Sequence, residues 1–207
     1  MAIDRRQKRD AILEADDQEQ YAVVDILTRS YVKEFPEETL IWITRGRALS
    51  HFCRWNEADR AFEQALSVAI KPEQEPYIWR EKGESHKERG EVREAEECFQ
   101  RLVELEPKDG FSRVLLANAT RRRGDFMLAE ARYRDALAIE GEEECRDIAL
   151  LFLGSVLVAL GRLEEAADCY REALALSPDY EVAQMRLTDV EHAIELQREG
   201  EQGDDAV

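Results

Sequence analysis

Four stretches of this chain carry one template: a large residue, a small residue a turn later, then Ala-x₃-aromatic. Trp42, Gly46, Leu49, Ala58, Phe62 and Ala65 set it, and Trp79, Gly83, His86, Ala95, Phe99 and Leu102 repeat it 37 residues on. Ala117, Thr120, Ala129, Tyr133 and Ala136 form a third copy, with Arg113 in the place of the Trp. Leu150, Leu153, Gly154, Leu157, Ala166, Tyr170 and Ala173 form the fourth. A unit of roughly 34 residues is too small to bury its apolar face alone, so copies must stack on one another.

The spacings inside each copy place the apolar residues on helix faces. Leu150, Leu153, Gly154 and Leu157 share one face, and Ala166, Tyr170 and Ala173 share another. Gly90, Gly124 and Gly161 lie between the two clusters, where a left-handed residue ends the first helix. The copy starting at Trp42 has Cys53-Arg54-Trp55-Asn56 there instead, and Asn56 is the expected turn or cap residue. Each small residue predicts a close approach by the aromatic of the partner helix. The pairs are Gly46 with Phe62, Gly83 with Phe99, Ala117 with Tyr133 and Gly154 with Tyr170. Pro107 and Pro178 follow the second helix and stop it.

This pattern resembles the tetratricopeptide repeat (TPR) family, whose copies read W-x₂-L-G-x₂-Y, then A-x₃-F, then Pro. Leu153-Gly154, Ala166-x₃-Tyr170 and Pro178-Asp179-Tyr180 match best. Arg45 and Lys82 stand where the family has Leu, and Gly141 stands where Pro is usual. Junctions at 71–76 and 141–146 exceed the period by about three residues, which surface loops absorb. The resemblance covers 39–180 and implies four repeats in an all-α, right-handed superhelical solenoid of antiparallel helix pairs. Residues 5–38, within the N-terminal segment 1–38, read either as a degenerate first repeat or as a lone cap. Residues 181–198, with Val182, Met185, Leu187, Val190 and Ile194 on one stripe, read as the C-terminal capping helix. Residues 199–207 form an acidic tail.

Charge narrows the partners. A formal net charge of −17 disfavours nucleic acid and anionic membrane surfaces. The basic run Arg5-Arg6-Gln7-Lys8-Arg9 reads as a solvated first turn. No apolar leader opens the chain, and the apolar stretch 148–160 is too short to span a bilayer. Cys53, Cys98, Cys145 and Cys169 show no CxxC spacing, and Cys98 and Cys169 share one repeat position as packing residues. A cytoplasmic, reducing setting is therefore expected. His51 near Cys53 lacks a second ligand pair, His86 sits at a core position, and His192 lies in the capping helix. No nucleophile, phosphate or dinucleotide motif is present. The expectation is a non-enzyme without cofactor or metal.

The resemblance implies that the first helices line a concave groove that takes an extended peptide or a helix. By register the groove residues are Arg47, Tyr77, Arg80, Phe111, Asn118, Arg121, Ile148, Leu151, Ser155 and Val158. Arg113, Arg121, Arg122 and Arg123 lie in an acid-free stretch and, with Arg47 and Arg80, either form a basic strip for carboxylates or pair with neighbouring Glu. The 148–160 helix is apolar nearly all round. Either the capping helix covers Ile148, Leu151, Phe152 and Val158, or they form an exposed patch open to a partner or to homodimerisation. Glu84 one turn after Arg80 departs from the dicarboxylate clamp of some TPR co-chaperones. The leading reading is a protein–protein interaction module, an adaptor or assembly factor binding a protein or peptide. A secretion-type chaperone for a hydrophobic client and a self-assembling scaffold are the alternatives.

Overall fold

The computed structural model describes residues 2–139 and 145–204, with the side chains of 5–139 and 145–199. Gly141 and the acidic run Glu142-Glu143-Glu144 lie outside the described residues. Among the described residues the regular structure is all helical. The helices are α1 (Ala2–Asp17), α2 (Tyr21–Glu34), α3 (Thr39–His51), α4 (Trp55–Val68), α5 (Glu75–Arg89) and α6 (Val92–Leu105). There follow α7 (Gly110–Arg123), α8 (Phe126–Leu137), α9 (Arg146–Ala159), α10 (Leu163–Leu176) and α11 (Glu181–Asp204). A short 3₁₀ turn, Pro72–Gln74, fills the longer junction before α5. The chain divides into two compact units, residues 1–106 holding α1–α6 and residues 107–207 holding α7–α11.

In both units the template residues form the core. Phe62 and Phe99 in the first unit and Tyr133 and Tyr170 in the second are all buried. A fully buried large apolar side chain contributes about 1.5–3 kcal/mol. The small residues opposite them are sterically required. A Cβ on Gly46 would lie 2.6 Å from the Phe62 ring, one on Gly83 2.6 Å from Phe99, and one on Gly154 2.5 Å from Tyr170. In the third pair Ala117 and Tyr133 are both fully buried.

The helix-pair turns share one geometry. Gly90, Gly124 and Gly161 take φ of 82°, 90° and 76°. The residue after each returns its N–H to the carbonyl five positions earlier, as in Arg162 to Leu157 at 2.9 Å. In the copy without Gly, Cys53 takes the left-handed position at φ 56°, and Arg54 donates to Leu49 at 2.9 Å. The expectation for Asn56 is therefore corrected: it lies inside α4. Backbone register, rather than residue type, selects the turn residue. Glu19, at φ 54°, does the same between α1 and α2.

Arg113 preserves a bond that Trp42 makes at the same repeat position. Trp42 Nε1 donates to the Pro36 carbonyl at 2.7 Å, and the Arg113 guanidinium donates to the Pro107 carbonyl at 2.8 Å. Each ties the first helix to the proline that precedes it. In the second unit α11 packs on α10, and Ala183, Val190 and Ile194 join the core.

Candidate functional site

Each unit has a cavity beside the first helices of its pairs. In the first unit it measures about 240 Å³ and is walled by Arg47, Ser50 and His51 of α3 and Glu81, Glu84 and Glu88 of α5. Its floor is polar: the Ser50 and Ser85 hydroxyls are 2.7 Å apart. The Tyr21 ring stacks on His51, centroids 4.2 Å apart. Arg47 is ion-paired to the buried Asp16 of α1 and donates to Tyr77 Oη at 3.4 Å. Burial pushes the Glu81 carboxyl above its ordinary value, and Arg47 and Arg80 offset this only in part. Arg80 lies 4.9 Å over the Tyr77 ring and 3.8 Å from Glu81. Lys87 is paired with Glu84. Here carboxylates outnumber the cations around the cavity.

In the second unit the cavity measures about 290 Å³ and lies between α9 and α11. Leu151, Phe152 and Val158 meet Val182 and Val190 there, with Arg121 and Arg186 contributing cations and Asp189 one carboxylate. The Arg121 guanidinium sits 4.7 Å over the Phe152 ring, whose other neighbour is Tyr133, at 6.4 Å between centroids. Tyr133 Oη donates to Asn118 Oδ1 at 2.7 Å, and burial pushes the phenol up to about 12. Tyr170 Oη donates to Ser155 Oγ at 3.3 Å.

Arg121, Leu151, Ser155 and Val158 thus share the second unit's cavity. Arg47 lines the first unit's, with Tyr77 and Arg80 beside it. Phe111, Asn118 and Ile148 line neither; Phe111 is exposed, and Asn118 and Ile148 are half-buried. On the apolar helix, Leu151 is buried and Phe152 half-buried, while Val158 is 38% exposed. His86 is buried with Nδ1 2.8 Å from Glu91 Oε2. Burial pushes the Cys98 and Cys169 thiols up to about 11, far from thiolate chemistry at neutral pH. Among the described residues no group of three or more His, Cys, Asp or Glu is placed to hold a metal ion.

One constellation escaped the sequence reading. The fifth residue of each second helix is acidic in four copies: Asp25, Asp59, Glu96 and Glu130. The series reaches from one copy to the next. Asp25 meets Arg54 at 2.6 Å, Asp59 meets Arg89 at 2.9 Å, and Glu130 meets Arg162 at 2.7 Å. Arg54 and Arg162 each also bind the Glu three residues on, Glu57 or Glu165, at 2.6 Å. The acid serves as an ionic latch between neighbouring pairs. Its 34- and 37-residue recurrence was visible among the many carboxylates. In α10 the position holds Ala167, where α11 takes over.

Paired antiparallel helices, small-to-aromatic contacts and left-handed turns in register define a helical-hairpin repeat protein. Models of the tetratricopeptide repeat match residues 76–109 and 111–179, and the chain belongs to that family. No curated protein matches the chain. Among solved structures, the first TPR of Spaghetti (RPAP3) bound to the HSP90 peptide SRMEEVD is 26% identical, with a TM-score of 0.55. That match covers 58% of this chain and 94% of that one. YrrB, a TPR protein with an unusual peptide-binding site, is 15% identical over 84% of this chain and 87% of its own, with a TM-score of 0.65. MamA from residue 41 onward, from Desulfovibrio magneticus RS-1, is 14% identical over 85% and 96%, with a TM-score of 0.72. The latter two likenesses show the shared fold. No helix among the described residues is long and apolar enough to cross a membrane.

Proposed function

We propose that this chain is a non-catalytic interaction module, an adaptor or assembly factor, that holds a peptide or helical segment in the second unit's cavity. The observation that carries this reading is the meeting of an apolar pocket with arginine. Leu151, Phe152, Val158, Val182 and Val190 offer an apolar seat, while Arg121 and Arg186 offer donors for carboxylates. The bound segment therefore has an apolar anchor flanked by acidic residues. The peptide in the Spaghetti (RPAP3) structure supports a peptide as the ligand class.

The test is affinity capture from the source cell, followed by direct titration of the captured protein against wild type, Arg121→Glu and Val158→Glu. Val158 serves as the probe because it is 38% exposed, whereas a Glu at the buried Leu151 would unfold the core. A partner weakened by both variants supports the site. A partner bound equally by all three proteins removes it.

A further inference from the structure

A third cavity, about 480 Å³, lies in the first unit between α2, α3 and α4. Its walls hold four cations, Arg29, Lys33, Arg45 and Arg60, against two carboxylates, Glu57 and Glu63. Trp42, Val32 and Ala61 supply apolar surface. This is a basic cleft in a chain with 46 acidic and 29 basic residues.

Part of that charge belongs to the latch. Asp25 binds Arg29 at 2.8 Å, Arg45 at 3.0 Å and Arg54 at 2.6 Å. The second unit shows what the latch itself needs. There Glu130 is served by Arg134 at 3.0 Å and Arg162 at 2.7 Å, the register equivalents of Arg29 and Arg54. The equivalents of Lys33, Arg45 and Arg60 are Ala138, Leu153 and Asp168. The latch closes without these three cations. Lys33 and Arg60 are exposed and hold no ion pair among the described residues. They are surplus to the fold, and they flank an apolar surface.

We propose that this cleft docks an acidic peptide segment, whose carboxylates meet Lys33, Arg60 and the outer face of Arg29 while an apolar side chain lies against Trp42. The argument is charge complementarity with an apolar floor. A short peptide interacts mainly within a Debye length of about 8 Å, where the cleft is positive. A long polyphosphate would meet the chain's overall negative charge. The surface is separate from the cavity of the proposed function and does not depend on it.

The experiment uses the full chain and the fluorescence anisotropy of a short fluorescein-labelled peptide alternating Glu and Leu. Saturable binding is expected, weakened about tenfold or more by Lys33→Glu with Arg60→Glu. Arg93→Glu with Arg101→Glu, an equal change of charge on α6 outside both cavities, should leave it unchanged. Lys33→Gln with Arg60→Gln should weaken it about threefold, which keeps the test sound if charge reversal unfolds the protein. Absence of saturable binding, equal binding of a Lys–Leu peptide, or wild-type affinity in the Gln variant would overturn the proposal. So would displacement of the peptide by a single-stranded oligonucleotide as effective as unlabelled peptide, or loss of binding in Arg93→Glu with Arg101→Glu.

Discussion

The two units use the same backbone positions to build cavities of opposite character. Two residues before the small glycine, the first unit has Glu81 and the second has Phe152. Three before it stand Arg80 and Leu151, and four after it stand Lys87 and Val158. One cavity is consequently walled by carboxylates over a serine floor, the other by apolar side chains under arginine. The residues facing the partner helix hardly differ: Gly83 faces Phe99 and Gly154 faces Tyr170. The fold therefore constrains one side of the first helix and leaves the other free to vary. The chemistry of that free side must be read residue by residue.

Exchanging one residue across that register should break the contrast most strongly. Phe152→Glu gives the second unit the first unit's side chain. It removes the ring between Arg121 and Tyr133 and places a carboxylate in an apolar wall. A loss of about 3 kcal/mol is expected in chemical denaturation. A loss under about 1 kcal/mol would mean that the second unit tolerates the polar version of the site.

The pH dependence should divide a latch carboxyl from a cavity carboxyl by sign. Burial works against the Glu130 carboxylate, but bonds from Arg162 and Arg134 and their charges outweigh it, holding the carboxyl below its ordinary value. Its stabilisation is thus complete above about pH 4.5 and lost as the pH falls through its folded value. Glu130→Gln should cost about 1 kcal/mol at neutral pH and little at about pH 3. Glu81 is raised, chiefly by burial, so its ionised form costs stability as the pH rises from about 4.5 through its folded value. Glu81→Gln should be neutral at about pH 3 and stabilising at neutral pH. Thermal melts of both variants across that range check the pair, and equal trends would erase the distinction.

The smallest expected effect concerns the turns, where Cys53 in the first unit takes the conformation that Gly161 takes in the second. Cys53→Gly should stabilise the protein by about 0.5–1 kcal/mol, because φ 56° costs a side-chain-bearing residue energy that Gly avoids. Gly161→Ala, at φ 76°, should lose about as much. Denaturant midpoints resolve both, and stabilisation absent at Cys53 would show that Arg54 and its ion pairs already hold that turn.

These comparisons also show where sequence sufficed. The small-to-aromatic contacts and the three glycine turns were legible because each recurs in register, and recurrence separates a structural requirement from chance. Cys53 was not, since nothing in a cysteine announces a left-handed residue; only its alignment with Gly90 does. The Asp25, Asp59, Glu96 and Glu130 series recurs as clearly as the glycines, yet among 46 acidic residues recurrence alone does not single it out. In sequence Arg47 reads as a groove residue that either joins a basic strip or pairs with a neighbouring Glu. Its partner Asp16 lies on α1, where the template is hardest to trace, so the pairing could be found only in three dimensions.

Ala167 breaks the acidic series at the last helix pair. A further helix pair at this end would need a carboxylate to hold its arginine, and would need the surface on which α11 lies. Both the ionic and the apolar halves of the joint are withdrawn at the same step. The joint at α10 is thus sealed by apolar contact area rather than by the latch, and strong salt, which loosens the ionic joints along the array, should leave this one intact.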